Sequence, residues 1–354
     1  MNLNLKKLLP KLLLFLVVTI VVVILLFSFN DVSAIVHVLN DVSWRWMLVA
    51  FLFLFLYLLF NPLSLFLLGR EKDKENISFK HSFEIGTIEY FFNGITPFSS
   101  GGQPFQVYAY NKIGIKPARS TGILLLNFVV SQMAIVLLCL LSLVYFNELT
   151  RQNDFLKWMV LIGLIINFLI LFFFLSLGIS KTMRNLLFKL VSFILHRKIF
   201  KGRLERFVFS FEEYCKGAQR TFQSLMQQKI KFACCLIFKL IALVCYYMIP
   251  FFILKALNLS IGISSLLLST AMTTFSVAMT CYIPTPGASG GIEFAFQSLF
   301  QTIVYMPSSV AASGMLLWRF LTYYILMLIS FIVYLWFEKT ASKKNKPLLD
   351  ETSG

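Results

Sequence analysis

Long apolar runs constrain the fold of this chain more than any other feature of its sequence. They cover residues 12–27, 44–68, 121–146, 155–179, 232–257 and 311–337. The last five are each long enough for an α-helix, which rises about 1.5 Å per residue, to cross a hydrocarbon core of about 30 Å. Because 58% of the residues are hydrophobic and only 14% are charged, a soluble enzyme, a disordered chain and a disulfide scaffold are excluded. The sequence predicts an all-α polytopic membrane protein with about six full spans.

The distribution of positive charge predicts how the chain is oriented. The first run follows Lys6, Lys7 and Lys11 and is longer than a typical signal-peptide core, so we expect an uncleaved first helix. Most of the 32 lysines and arginines lie in the termini and in the loops at 70–80, 112–119 and 181–231. The loops near 30–43, 147–154 and 305–309 together hold only Arg151. By the positive-inside rule, both termini are predicted to be cytoplasmic, with the protein in the cell membrane.

Two further regions, at 82–112 and 263–304, are apolar but interrupted by Gly, Pro and Ser. Such interruptions are typical of broken or re-entrant helices. The first region begins and ends among basic residues, which are predicted to be cytoplasmic. The second region lies between spans whose adjoining ends are predicted to face the outside. We therefore expect inverted repeats that enter the membrane from opposite sides. This organisation predicts a first membrane half at 1–180, a basic amphipathic connector at 181–231, a second membrane half at 232–338 and a basic cytoplasmic tail at 339–354.

One motif lies in both interrupted regions, since P-x-x-S-G-G-x-x-F begins at Pro97 and again at Pro286. Proline ends a helix, glycine permits close approach of backbones, and the following helix presents free N–H groups to an anion. The motif therefore predicts a binding site at membrane depth, with kinks that only allow tight helix packing as the alternative. The candidate headgroup-binding residues are Ser100, Gly101, Gly102, the adjoining Gln103, Pro286, Ser289, Gly290 and Gly291.

The segments SGGQP, from Ser100, and PTPGASGGIE, from Pro284, resemble the paired motifs of the lysylphosphatidylglycerol synthase transmembrane family. That family comprises the flippase-like membrane domain of the multiple peptide resistance factors and stand-alone relatives, and the similarity covers nearly the whole chain. The resemblance implies lipid transport, and it carries Glu293 over as the acidic residue of the second motif. This chain has Gln103 where the family often has an acid, so no acidic role is transferred there. The soluble aminoacyltransferase domain has no counterpart here, so transferase chemistry is not implied.

Five ionisable residues stand out inside predicted membrane segments: Glu84, which is either functional or solvated near the interface, Glu89, Lys239, Glu293 and Arg319. A charge at that depth costs about 2.5–3.5 kcal/mol on insertion scales, which favours a functional interpretation. In that interpretation Arg319 attracts a lipid phosphate and the glutamates meet a cationic or hydroxylated headgroup. The alternatives are a structural ion pair among Glu89, Glu293 and Arg319 that holds the repeats together, and a Lys239 that extends to the interface.

Polar side chains at helical spacing indicate further lining of a wet cavity. Five hydroxyls share one face of the second interrupted region and either line a headgroup path or bond back to their own helix: Ser265, Ser269, Thr273, Ser276 and Thr280. Asn127, Ser131 and Gln132 add polar groups at membrane depth in the third span. In the connector, apolar residues recur at helical spacing, which predicts an amphipathic helix on the anionic inner leaflet.

No cofactor and no metal site are expected. The six cysteines show no C-x-x-C spacing, and the three histidines are far apart. The sequence contains no P-loop for ATP. Its basic residues spread over every cytoplasmic loop, so nucleic acid is not an expected partner.

These patterns predict a membrane lipid transporter that moves aminoacylated phosphatidylglycerol, a glycolipid or a polyprenyl lipid between leaflets. The alternatives are a lipid-binding subunit or scaffold for a partner lipid synthase, and a phosphatidylglycerol lysyltransferase-type activity, so whether the chain is an enzyme stays open. The expected partners are membrane lipids, above all anionic phospholipid. A partner synthase and a homo-oligomer also stay open.

Overall fold

A computed structural model describes residues 20, 40–70, 76–145, 154–196, 204–280, 283–304 and 307–344, and within these ranges the regular elements are helices. The predicted first span at 12–27 lies outside the described residues, apart from Ile20, as does the part of the predicted tail beyond residue 344. In chain order the helices are α1 (Trp44–Gly69), α2 (Phe79–Gly94), α3 (Gly102–Lys112), α4 (Pro117–Ser142), α5 (Asp154–Ile179), α6 (Lys181–His196), α7 (Leu204–Met226), α8 (Lys229–Ala256), α9 (Ser264–Thr280), α10 (Gly291–Val304), α11 (Ser308–Arg319) and α12 (Leu326–Lys344).

Five stretches of these helices are long and apolar enough to cross a membrane. They are Trp44–Gly69, Pro117–Tyr145, Lys157–Ile179, Lys229–Ala256 and Ser308–Ala341. The last combines α11 and α12, which a π-helical turn joins at Phe320–Ile325. Each stretch coincides with one of the apolar runs, so the polytopic all-α fold is confirmed.

The two long helices α1 and α8 pack against each other in opposite directions. At one end the Ser43 N–H donates to the Ala256 carbonyl over 2.8 Å. At the other end the Lys231 ammonium donates to the Arg70 carbonyl. The end of α1 therefore lies beside the start of α8, and the reverse holds at the opposite face of the bundle.

This antiparallel pair positions two hairpins of half-length helices. The first hairpin, α2 and α3, starts from the Gly69 end of α1, where the Ile77 N–H donates to the Gly69 carbonyl over 3.4 Å. The second hairpin, α9 and α10, starts beyond the Ala256 end of α8. Because these two ends lie at opposite faces, the hairpins enter the bundle from opposite faces, which confirms the inverted arrangement. Their tips, the turns Pro97–Ser99 and Pro286–Ala288, contact each other inside the bundle.

The connector contains two described helices, α6 and α7, with residues 197–203 between them outside the described ranges. Helix α7 buries Phe222 and Leu225 against the bundle and contacts α4 and α5. The packing is close, because a Cβ atom on Gly122 of α4 would lie 2.5 Å from the Ala218 carbonyl. The apolar side of α7 is thus covered in part by protein, in addition to any contact that it makes with a leaflet.

Candidate functional site

The turns at the two hairpin tips have the same backbone conformation. In the first turn, Phe98 and Ser99 have φ angles of 56° and 50°. In the second, Gly287 and Ala288 have φ angles of 60° and 54°. Left-handed backbone is uncommon in residues other than glycine and concentrates at functional sites. The repeated sequence motif therefore encodes a repeated and unusual structure.

The motif serine has the same role in both turns. Ser100 Oγ donates to the Pro97 carbonyl over 2.9 Å, and Ser289 Oγ donates to the Pro286 carbonyl over 2.8 Å. Each hydroxyl closes its own turn. The two serines that the sequence assigned to headgroup binding are thus structural residues in this conformation.

Side chains from the protein itself pair the backbone donors of three of the four motif glycines. The Gly102 N–H donates to Asn93 Oδ1 over 2.8 Å, and the Gly101 N–H donates to the threonine hydroxyl before the turn. In the second hairpin the Gly290 N–H donates to Glu293 Oε2 over 2.7 Å. The expectation that these N–H groups are free for an anion is therefore wrong. An unpaired N–H is costly away from water, so nearby side chains satisfy it.

Tyr323 links the two tips. Its hydroxyl donates to the Gly94 carbonyl at the end of α2 over 2.9 Å, and its ring lies against Gly287 of the other hairpin. The Arg319 guanidinium lies over the same ring, with Cζ 4.4 Å from the ring centroid. One side chain on the π-helical turn thereby touches both hairpins.

Replacing Tyr323 with phenylalanine is expected to lower stability by about 0.5–1.5 kcal/mol, the usual net contribution of one hydrogen bond. The change removes the hydroxyl, with its bond to Gly94 and its interaction with Ser289, and keeps the ring. A lower melting temperature of the detergent-solubilised protein would show the loss. The matched control is Tyr324→Phe, because the Tyr324 hydroxyl is buried without a hydrogen-bond partner in the described part of the chain. Equal melting temperatures for the two variants would contradict the assigned link.

Arg319 and Glu293 form a buried ion pair across the second hairpin. Arg319 Nε lies 2.7 Å from Glu293 Oε1, and both side chains are almost fully buried. Arg319 Nη2 also donates to the Gly287 carbonyl and to Ser289 Oγ, each over 3.1 Å. The guanidinium therefore contacts three groups: the Glu293 carboxylate, the Gly287 carbonyl and the Ser289 hydroxyl. The ion pair that the sequence offered as a structural alternative is thus present between Arg319 and Glu293. A cation held this rigidly can still present its remaining donors to an anion.

Lys239 and Glu89 occupy a separate position. The Lys239 ammonium donates to Asn61 Oδ1 over 2.6 Å and is buried, so it does not extend to the interface. Asn61 Nδ2 in turn donates to the Tyr90 hydroxyl over 2.5 Å. The Glu89 carboxylate faces Lys239, Asn61 and Gln106. Glu89 is thus the electrostatic partner of Lys239, whereas the sequence grouped it with Glu293 and Arg319.

Two polar cavities lie next to the hairpin tips. The larger, of about 340 Å³, is lined by Glu89, Lys239 and Gln103 together with Asn127, Ser131 and Gln132 of α4. The smaller, of about 180 Å³, is lined by Arg319, Gly287 and Tyr323. Each cavity therefore contains a basic side chain, and each basic side chain has an acidic partner.

Four residues line both cavities and so form the wall between them: Tyr57, Tyr90, Asn93 and Ser99. The rings of Tyr57 and Tyr90 are 5.7 Å apart, and Tyr57 also contacts the ring of Tyr246 at 4.8 Å. Sequence inspection missed this wall, since tyrosine is common in membrane helices. Asn61 had a usable signal, because it is a single amide beside Pro62 in the middle of an apolar run.

The hydroxyl face of α9 does not line either polar cavity. Helix α9 contributes Val277 and Ala278 to the larger cavity. The hydroxyls of Thr273 and Ser276 donate to the carbonyls four residues earlier, over 2.8 and 2.9 Å, and Thr280 does the same. Of the five hydroxyls assigned to the cavity lining (Ser265, Ser269, Thr273, Ser276 and Thr280), the last three show the alternative of bonding within the helix, whereas the Ser269 hydroxyl is buried with no hydrogen-bond partner among the described residues. A hydroxyl packed among apolar groups is satisfied most simply by its own backbone.

The fold and the site together define a class: a polytopic helical membrane protein with two inverted re-entrant hairpins and charged cavities at their tips. The sequence profile of one family, described as the lysylphosphatidylglycerol synthase TM region, matches residues 12–330. The chain belongs to this family.

Two relatives come from mycoplasmas. The uncharacterized protein MG306 of Mycoplasma genitalium is 26% identical over 319 residues, which cover 84% of this chain and 79% of the relative. The MG306 homolog of Mycoplasma pneumoniae, also described as uncharacterized, is 26% identical over 318 residues, which cover 84% of this chain and 78% of the relative. These similarities extend over most of both chains and support a shared membrane architecture.

Proposed function

We propose that this protein moves an anionic phospholipid between the two leaflets of the cell membrane. The headgroup passes through the two polar cavities, while the acyl chains stay in the lipid. The observation that carries the proposal is the pair of cavities on either side of one wall, each with its own buried cation. Charges at membrane depth typically mark substrate pathways.

The chemistry of the cavities supports a phospholipid headgroup. Lys239 in the larger cavity and Arg319 in the smaller one offer N–H donors to a phosphate. Glu89 and Glu293 offer carboxylates that complement an amine or a hydroxyl. The name of the family points to phosphatidylglycerol and its lysyl derivative, whose headgroups carry these groups. A glycolipid and a polyprenyl phosphate are the other candidate substrates.

The inverted halves supply a means of alternating access. Because the hairpins enter from opposite faces and meet at their tips, rocking one half against the other opens one cavity as it closes the other. The Tyr57 and Tyr90 wall then separates the two positions of the headgroup. Both termini are placed on the cytoplasmic side in this scheme, as the charge of the loops predicts.

The test is leaflet exchange in reconstituted vesicles. Phosphatidylglycerol with a fluorescent headgroup-proximal label is expected to exchange at least about tenfold faster with the protein than in empty vesicles, which corresponds to a barrier lowered by about 1.4 kcal/mol. Vesicles with the same mass of an unrelated helical membrane protein control for exchange that any transmembrane helix causes. Rates equal to that control would sink the proposal. If lipid still binds in that case, a lipid-binding subunit for a partner synthase becomes the better account.

A further inference from the structure

A third cavity, of about 520 Å³, lies between α3, α4, α5 and the connector helices α6 and α7. Its volume is within the range of about 300–1,000 Å³ that is typical of ligand sites. The walls are mainly apolar, with Leu125, Phe174, Leu177, Leu187 and Phe211 among them. We call it the connector groove.

The connector groove adjoins the larger polar cavity. Gln103 and Leu124 line both of them, so a single layer of side chains separates the two spaces. Gln103 lies in the first turn of α3, next to the hairpin tip, whereas Arg184 of the groove lies just beyond the end of the α5 span. The connector groove therefore extends from the depth of the tip to the level where a headgroup would lie.

A positive charge is fixed at the end of the connector groove that lies farthest from the hairpin tip. Arg184 Nη1 donates to Gln219 Oε1 over 2.7 Å, and Gln219 Nε2 donates to the Ser180 carbonyl over 3.0 Å. Arg184 Nε and Nη2 also donate to Asn185 Oδ1, over 3.3 and 3.0 Å. The guanidinium is thus held between α6 and α7, and these bonds leave one N–H on each of Nη1 and Nη2 for a phosphate oxygen. An apolar groove with a cation at the end farthest from the hairpin tip complements a lipid with a negative phosphate.

The connector helix α7 is held firmly against the bundle, so the groove is a built feature. The hydroxyls of Thr121 and Tyr214 form a hydrogen bond between α4 and α7. A Cβ atom on Gly178 of α5 would lie 2.4 Å from the ring of Phe222, so α5 and α7 also pack closely. These contacts set the distances between α7 and the other walls of the groove.

We propose that the connector groove is a loading site for the transported lipid: it holds one acyl chain of an anionic phospholipid whose phosphate binds Arg184. The headgroup then moves past Gln103 into the larger polar cavity. This site rests on the proposed function, because it identifies where the substrate waits before it is moved. A second copy of the chain or a partner protein in the groove is a different occupant, which the experiment detects.

The experiment is photolabelling of the full chain in phosphatidylcholine vesicles that contain phosphatidylglycerol with a diazirine near the end of one acyl chain. Peptide mass spectrometry is expected to find adducts on the groove faces of α4 and α7. Leu125→Trp fills the groove and should reduce these adducts about tenfold. Leu141→Trp is the matched control, because Leu141 lies on the same helix with 69% of its surface exposed, and it should leave them unchanged.

A second variant tests the phosphate contact. Arg184→Gln is expected to reduce labelling by the phosphatidylglycerol probe severalfold and to leave labelling by a diazirine diacylglycerol, which has no phosphate, unchanged. The proposal is overturned if Leu125→Trp leaves the groove adducts unchanged, if Arg184→Gln affects both probes equally, or if the groove crosslinks to protein. Labelling needs no transport, so groove adducts without leaflet exchange would reject only the proposed function. Leaflet exchange without groove adducts would reject only the loading site.

Discussion

Lys239→Met is expected to abolish the leaflet exchange of phosphatidylglycerol and to lower stability by about 1.5–3 kcal/mol, the usual contribution of a hydrogen bond to a charged group. The variant removes the cation from the larger cavity and leaves the Glu89 carboxylate without its partner. It also removes the bond from the ammonium to Asn61, which orients the amide toward Tyr90. Exchange rates in vesicles and melting temperatures in detergent measure the two effects.

A double variant separates these effects. Glu89→Gln combined with Lys239→Met removes both charges from the larger cavity, so we expect the double variant to be more stable than Lys239→Met alone while exchange stays absent. Lys255→Met is the matched control, since Lys255 lies on the same helix at its far end, beside Trp46 and away from both polar cavities. Wild-type exchange by the double variant would show that this pair is only structural.

Gly287→Ala is expected to be the most damaging single-methyl substitution at the hairpin tips. The backbone at Gly287 is left-handed, with a φ of 60°, and an added Cβ would lie 2.2 Å from a ring carbon of Tyr323. The left-handed conformation costs about 1–2 kcal/mol in alanine, and forcing the ring aside costs about 1–3 kcal/mol more. Because Tyr323 donates to Gly94, the displacement also weakens the contact between the hairpins.

Gly290→Ala gives the comparison that isolates the steric part. Gly290 is also left-handed, with a φ of 89°, but an added Cβ would have no neighbour within 4 Å. We expect Gly290→Ala to lower the stability by the conformational cost alone, about 1–2 kcal/mol. A smaller drop in melting temperature for Gly287→Ala than for Gly290→Ala would contradict the packing of Tyr323 against the second turn.

The sequence predicts the spans and the two hairpins because both depend on local features. Apolar length determines a span, and the P-x-x-S-G-G motif ends one helix and begins another wherever it lies in the fold. The inverted arrangement follows from the charge of the loops. Within the described residues the structure confirms five of the predicted spans and the two opposed hairpins, whereas the span at 12–27 stays a prediction.

The pairing of charges could not be predicted, because it depends on which side chains face each other after packing. Glu89 faces Lys239 across a cavity between α2 and α8, and those two helices are far apart in the chain. The same limit applies to Gly102 and Gly290, whose backbone N–H groups donate to the side chains of Asn93 and Glu293. Sequence spacing predicts that such groups need partners and leaves the choice of partner to the fold.

The pairing of a base with an acid at each cavity has a consequence for how voltage acts on transport. Arg319 with Glu293 is an ion pair without net charge, and Lys239 faces the oppositely charged Glu89 across the larger cavity, so rocking the halves moves no net charge of these groups through the field. The membrane potential then acts on the lipid alone, at about 2.3 kcal/mol per elementary charge per 100 mV. Phosphatidylglycerol, with one negative charge, and its lysyl derivative, with one positive charge, are driven in opposite directions by the same potential. Under the proposed function, the protein itself would thus supply a path that favours neither direction.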